Sequence, residues 1–218
     1  LLRIDAKACR IASSREVRRD VVKVHVREIG VDELLRYAQV PIRFWVRSVF
    51  RIEAAEEGAG GLRLAEEAVS PPYFKDYDAQ SGGTEVPTHW PEAFDVRRWG
   101  FFLAEEGAEP VGAATVAFDS PDVHMLEGRA DLAVLWDIRV RPDRRGRGIG
   151  SQLFRTAGQW ARSRGARQLK VETQNVNVAA CRFYAAQGCE LGAIHRYGYA
   201  GCPEVAHEAM LLWYLDLG

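Results

Sequence analysis

The stretch RPDRRGRGIGS, residues 141–151, sets four arginines among three glycines, directly after an apolar run and directly before a helical pattern. Upstream, LAVLWDIRV (132–140) reads as a strand. Downstream, Ile149, Leu153, Ala157 and Trp160 recur at helical spacing until Gly165 closes the helix. A strand, a glycine turn and a helix in that order make an anion site. Glycines let backbone N–H groups approach a ligand closely, the helix start leaves its first N–H groups unpaired, and the helix dipole adds partial positive charge there. Arg144, Arg145 and Arg147 are placed to pair with phosphate oxygens, so a pyrophosphate is the expected ligand. Two familiar phosphate loops do not fit. A nucleotide-hydrolase P-loop ends in Gly-Lys-Ser/Thr, whereas Gly150 is followed by Ser151 with no lysine in the loop. A dinucleotide fingerprint needs G-x-G-x-x-G straight after the strand. A solvated basic turn that merely caps a helix remains open.

Composition bounds the rest. With 218 residues, 47% hydrophobic and 27% charged, the chain suits one globular domain with a real core. Its formal net charge of -1 argues against a dedicated nucleic-acid binder, so positive charge acts locally. Cys9, Cys181, Cys189 and Cys202 show neither CxxC spacing nor a metal-like pairing with histidines, and no metal site is expected. No apolar run approaches 18 residues and the first residues lack the apolar stretch of a signal peptide. The expected setting is cytoplasmic, with free thiols and no membrane contact.

Working outward from the loop, the chain reads as α+β, with one mixed sheet. VVKVHVREI (21–29) alternates as a strand, and VDELLRYAQV (31–40) reads as a helix opening at Asp32. FWVRSVFRI (44–52) and GLRLAEEAV (61–69) are expected strands around a Gly-rich turn, and Ser70 to Arg98 reads as a long irregular stretch. GFFLAEE (100–106) and VGAATVAFD (111–119) form a hairpin. QLKVET (168–173) is a strand, NVAACRFYAAQG (177–188) a helix ended by Gly188, and CELGAIHRY (189–197) and AMLLWYLDL (209–217) are closing strands. Residues 1–20 read as an N-terminal extension. Residues 21–218 read as a single domain of two parts, 21–99 and 100–218.

A second motif lies on the helix that opens at Asn177. Asn177, Cys181 and Tyr184 share one face, with Tyr184 about 10 Å along the axis from Asn177. Taken singly, Asn177 reads as a helix cap and Tyr184 as a packed aromatic.

Together, LWDIRVRPDRRGRGIGSQLF and QLKVETQNVNVAACRFYAAQGCELG resemble the core of the GNAT superfamily of acyl-CoA-dependent N-acyltransferases. Arg145, Gly148 and Gly150 match its Q/R-x-x-G-x-G/A pyrophosphate loop, and Asn177, Ala180, Phe183 and Tyr184 match its N-x-x-A-x-x-F-Y helix. The resemblance covers residues 98–217 well and 20–97 loosely. VETQNVNVAACRFY is most similar to streptothricin acetyltransferases. The resemblance implies a mostly antiparallel central sheet, flanked by helices and splayed at the CoA-binding strand. It also implies acetyl-CoA as cosubstrate and a primary amine of a small molecule as acceptor. The CoA pyrophosphate would rest on amides from Arg145 through Gly146, Arg147, Gly148, Ile149 and Gly150 to Ser151. The pantetheine arm would add like a strand to Ile138, Arg139 and Val140, with Asn177 hydrogen-bonded to it and Tyr184 beside the sulfur. A homodimer is left open.

For the chemistry, an amine of pKa near 10 must lose a proton, and a departing thiolate of pKa about 8.5 leaves better when protonated. Tyr184 is the expected general acid. Asp137 is the candidate base. Strand alternation places it opposite Trp136 and Ile138, so it would face the cleft if those two pack on the helix. Streptothricin acetyltransferases tend to carry Glu-Asp in this strand, and Trp136 stands in place of the first acid. Glu172 with a water chain and a structural role for Asp137 are the alternatives. The resemblance also implies an oxyanion contact from a backbone N–H near Ile138. Cys181 lacks a histidine partner in sequence and reads as core rather than as a covalent nucleophile.

For the acceptor, Phe44, Trp45, Tyr197 and Tyr199 offer cation–π faces, and Asp76, Asp78 and Glu204 offer charges. Each also reads as core or solvated surface. A protein amine as acceptor, a catalytically silent acyl-CoA sensor and thioesterase-like hydrolysis are the rival functions.

Overall fold

A computed structural model describes residues 23–80 and 86–218; the expected N-terminal extension, residues 1–20, lies outside the described residues. Strand β1 (Val24–Ile29) leads into a short 3-10 turn and the single-turn helix α1 (Leu34–Tyr37). The helix expected over 31–40 is thus shorter than its pattern, and no side chain caps its start. Leu34, Tyr37 and Val40 of this segment are buried, but Pro41 follows directly and disfavours helical backbone at the residue before it, so the helix stops short.

Strands β2 (Arg43–Ala54) and β3 (Leu62–Asp76) then pair as a separate antiparallel ribbon. Here the structure corrects the expectation of an irregular segment from Ser70, because β3 runs on to Asp76. Its register jumps between Val46↔Tyr73 and Ser48↔Ala68. Pro71 and Pro72 fall inside that irregularity, where a strand needs no ladder N–H from them. The ribbon continues directly into α2 (Tyr77–Gln80), and α3 (Trp90–Ala93) follows further along.

The remaining strands are β4 (Gly100–Glu106), β5 (Glu109–Phe118), β6 (Leu132–Val140), β7 (Gln168–Gln174), β8 (Glu190–His195) and β9 (Met210–Asp216). With β1 they build a seven-stranded sheet of order β1-β4-β5-β6-β7-β9-β8, as a mixed α+β fold. Only the β6–β7 pair is parallel, and helix α4 (Ile149–Ser163) makes its crossover. Helix α5 (Val178–Ala186) links β7 to β8.

The sheet has an apolar core on each face. On one, α4 and α5 pack Leu153, Phe154, Ala157 and Tyr184 against Ala114, Val116, Leu135 and Val171. The approach is close because β5 carries Gly112, where a Cβ would stand 2.9 Å from both Ile149 Cγ2 and Leu153 Cδ1. On the other face, Tyr37, Trp90, Trp99, Phe101 and Val134 form an aromatic core under α1 and α3. Helix α4 thereby sits over the sheet with its N-terminus at the end of β6.

Candidate active site

The parallel pairing of β6 and β7 stops at Leu135↔Val171, although β6 continues to Val140 and β7 to Gln174. The two strands splay from that point. On its other side β6 stays bonded to β5, and Arg141 N–H donates to Val111 O at 3.0 Å. Antiparallel alternation then turns the backbone N–H and C=O of Ile138 and Val140 away from β5, into the gap. Of the three residues that the resemblance assigns to an added pantetheine strand, these two present their backbone to the gap, while Arg139 is paired with Ala113 of β5.

At the end of β6 the chain turns through Gly146 (φ 75°) and Gly148 (φ 81°), left-handed conformations that glycine adopts without a Cβ penalty. Gly148 is the N-cap of α4 and brings no side chain to it. A serine or aspartate cap would fill the space that an anion needs. The first helical bond is Gln152 N–H to Gly148 O at 3.0 Å. It leaves the amides of Ile149, Gly150 and Ser151 without a helical acceptor, at the border of a cavity of about 940 Å³.

The loop arginines divide their work, which the sequence pattern does not show. Arg144 is tied to Glu106 and to Asp143, each at 2.8 Å, so it braces the loop against the β4–β5 hairpin rather than facing the cavity as a free cation. Arg145 donates to Val140 O at 3.1 Å and to Arg43 O at 2.7 Å, and burial lowers its pKa. It stitches β2 to the end of β6. Arg147 is exposed and has no ion-pair partner among the described residues, but unlike Arg144 and Arg145 it does not line the cavity.

Asp137 corrects the simple alternation. The register shifts between Thr115 and Val116, so that Trp136 is an extra residue on β6. After this bulge Trp136 and Asp137 lie on the same face: Trp136 packs on Phe94 and Trp99, away from α4, while Ile138 packs toward the helices. Asp137 Oδ1 accepts from Tyr37 Oη at 2.7 Å and from Arg139 Nε at 2.9 Å, and Oδ2 accepts from Arg139 Nη2 at 2.7 Å. Arg139, 3% exposed, also donates to Val40 O and to Asp78. Burial works against its charge, and the Asp137 carboxylate more than reverses that, holding its pKa above the ordinary value. The Arg139 side chain is therefore committed to Asp137, Asp78 and the Val40 carbonyl. A signal for this pairing was present: Asp137 and Arg139 stand two apart in a strand and must share a side.

Asn177 is the N-cap of α5, accepting from Ala180 N at 3.1 Å, and it borders the cavity, as Tyr184 does. Burial pushes the Tyr184 hydroxyl far above the ordinary tyrosine value, as do its neighbours Tyr77 and Asp137. That hydroxyl has no hydrogen-bond partner among the described residues. Cys181, on the same face, is buried, and its thiol is pushed up to about 12 by desolvation. Hardly any thiolate exists at neutral pH, which removes the covalent reading.

Of the acceptor candidates, Phe44 and Asp78 border the cavity, and Tyr199 donates to Glu172, which borders it too. Trp45 and Tyr197 do not line it and are 57% and 70% exposed, and neither Asp76 nor Glu204 lines it. Tyr37, Tyr77 and Gln174 were missed: the first reads as a core residue in sequence, Tyr77 lies in the segment taken as irregular, and Gln174 closes a strand. Among the described residues no cluster of histidine, cysteine and acid side chains could hold a metal, and no helix is long and apolar enough to cross a membrane.

Comparison with known proteins agrees with this geometry. The model of the acetyltransferase (GNAT) family matches residues 64–189. Streptothricin acetyltransferase of Escherichia coli is 32% identical over 171 residues, 78% of this chain and 84% of that one. Streptothricin acetyltransferase A of Bacillus subtilis is 30% identical over 75% of this chain and 83% of that one. Among solved structures, nourseothricin acetyltransferase superposes with a TM-score of 0.70 at 24% identity, covering 89% of this chain and 99% of that chain. A streptothricin acetyltransferase-like protein of Bacillus anthracis, solved in complex with acetyl coenzyme A, gives 0.67 at 23% identity, covering 89% and 98%. The family match spans β6, the glycine loop and β7, and the chain belongs to the GNAT acetyltransferases.

Proposed function

We propose that the protein moves the acetyl group of acetyl-CoA to a primary amine of a small, cationic, antibiotic-like or polyamine-like molecule, by direct attack in a ternary complex. One observation carries this reading. A single cavity of about 940 Å³ is bordered at once by the loop amides, the open edge of β6, Tyr184, and an end furnished with Phe44, Asp78 and Glu172. Residues 100–218 supply the CoA side and 21–99 most of the acceptor side.

The roles follow from what each group has to offer. The amides of residues 149–151 take the pyrophosphate, and the exposed Arg147 adds positive charge from outside the cavity. The turned-out N–H and C=O groups of Ile138 and Val140 pair with the pantetheine amides as a missing strand would, while Asn177 holds the start of α5. Arg145 and Gly146 shape the floor of the loop. A backbone N–H near Ile138 meets the oxygen of the thioester as negative charge develops on it. Tyr184 protonates the departing sulfur. Burial keeps that hydroxyl protonated, and the tyrosinate left behind is basic enough to take the second proton from the acylated nitrogen. Asp137 borders the cavity, but both of its oxygens accept from Tyr37 and Arg139, and it orients those two rather than taking the amine proton.

A thiol-release assay with acetyl-CoA over a panel of streptothricin, linear polyamines and N-terminal peptides tests this. Turnover on the small amines and none on peptides is expected. Turnover confined to peptides would replace the acceptor class with a protein amine.

A further inference from the structure

The cavity does not stay on the helix side of the sheet. Phe183 and Tyr184 border it from the core under α4 and α5, while Trp90, Phe94, Met125 and Trp136 border it from the aromatic core on the opposite face. It therefore passes through the splay. Leu135 is the last β6 residue paired with β7, so Trp136 is the first residue of β6 beyond the point where the strands part. Its indole meets Phe94 edge to face at 5.0 Å and Trp99 at 5.3 Å. Met125 joins the same core from the 3-10 turn His124–Leu126, and its carbonyl oxygen accepts from Lys170 Nζ at 3.2 Å, which ties that turn to β7. Phe94, Met125 and Trp136 are each only half-buried, and all three line the cavity. The roles above use none of them.

The bulge sets a polar group directly beside this apolar wall. Asp137 shares the face of Trp136, accepts from Tyr37 and Arg139, and Arg139 reaches on to Asp78. A buried guanidinium thus already stands between these two carboxylates, and a second ligand cation drawn to them meets its like charge at short range. On the wall itself a second ammonium would lose water and find no acceptor among Phe94, Met125 and Trp136, beyond the weak thioether. A hydrocarbon or a flat ring placed there loses no hydrogen bond and removes apolar surface from water.

We infer that Trp136, Phe94 and Met125 form an apolar subsite for the body of the acceptor, and that they select amines carrying one ammonium on a hydrocarbon or aromatic body over linear polyamines. This rests on the amine-acetylation reading above and narrows its acceptor class. The supporting geometry is the position of Trp136, two residues before Ile138, whose backbone N–H is assigned to the thioester oxygen. An amine that attacks from the face opposite Tyr184 has the atoms behind its nitrogen lying along this wall.

The test measures kcat/KM at one pH and saturating acetyl-CoA for unbranched primary monoamines from propylamine to hexylamine, for phenethylamine, and for diamines of matched chain length. In the parent, kcat/KM should rise by about fourfold per added CH₂ group. Each diamine should fall at least about tenfold below the monoamine of equal length, because its second ammonium loses water on the wall. Trp136→Leu and Met125→Gln should each flatten the rise to less than about twofold per CH₂ group, with the KM for acetyl-CoA within a few-fold of the parent. That constant KM separates a lost subsite from a lost fold, and Met125→Gln carries the test if Trp136→Leu does not fold. A flat series in the parent, a preference for the diamines, or a rise unchanged in the folded variants would overturn the subsite and leave acetyl transfer to an amine intact. So would a chain-length gain that follows the acyl group, from acetyl-CoA to butyryl-CoA, instead of the amine. No turnover of the parent on any amine, streptothricin included, would remove the acetylation reading and the subsite with it.

Discussion

Tyr184 is where a packed aromatic and a catalytic acid look alike, because both are buried. Its ring meets Phe154 and Phe183, and phenylalanine would keep those contacts. A structural tyrosine whose hydroxyl bonds to no described residue loses little stability on that change, less than the roughly 1 kcal/mol of an average hydrogen bond. A general acid loses its proton. Tyr184→Phe is therefore expected to keep its Tm within a degree or two, and its acetyl-CoA dissociation constant within a few-fold, while kcat falls by about 10²- to 10⁴-fold in single-turnover measurements. A parent-like rate constant for the chemical step would return Tyr184 to the core. Arg139 makes the complementary point: it was expected at the cofactor, and its side chain is held by Asp137, Asp78 and the Val40 carbonyl, because residues two apart in a strand share a face.

Among the elements, β1, α1 and β4 are joined by an ionic cluster that sets how this part of the fold meets acid. Arg27 donates to Glu33 and Glu105, and Arg36 reaches the same two carboxylates. The Arg27 hydrogen bond holds Glu33 down near 2, from an ordinary 4.5. Burial alone would raise Glu105, and the bonds from Arg27 and Arg36 bring it below its ordinary value. Both carboxylates are more acidic folded than unfolded. Their contribution is thus complete above about pH 4.5 and is lost as pH falls toward about 2, where the folded chain must also take up protons. The parent Tm should drop more steeply over that interval than the Tm of a Glu33→Gln, Glu105→Gln double variant. Equal slopes would show that the cluster is a solvated decoration. Such a cluster is modest in energy, since Arg27 and Glu33 keep about a third of their side-chain surface in water.

At the scale of the whole molecule, the cavity exists only when the ribbon, the bulged strand and both helix starts are assembled around it. The unfolded chain has no converging amides, and a ligand that binds only the assembled form adds RT ln(1 + [L]/Kd) to its stability. Acetyl-CoA at about 100 times its dissociation constant should contribute about 2.7 kcal/mol, a Tm rise of about 5–10 °C for a chain of this size. NAD and ATP, which lack a pantetheine arm to fill the splay, should raise it much less. A thermal shift with NAD as large as that with acetyl-CoA would mean that the loop binds phosphate without regard to the strand beside it.

The glycine loop, the helix that follows it, the asparagine-capped second helix and the central hairpin were legible in the sequence, because each is local. Glycine spacing, helical periodicity and strand alternation act over a few residues, and the backbone geometry they impose needs no distant partner. The division of labour among Arg144, Arg145 and Arg147 was not legible, because it depends on Glu106, Val140 O and Arg43 O, brought near only by folding. The same holds for the course of β3 past its prolines, which its pairing with Arg43–Val46 decides. It holds as well for Asp137, whose facing a one-residue bulge at Trp136 changes, and for Glu172, whose neighbours Tyr77 and Tyr199 come from opposite ends of the chain. Residue types and short-range order specify which groups can bind an anion or move a proton. Which of them remain available is settled by long-range partners competing for the same hydrogen bonds, and those partners meet only in the tertiary structure.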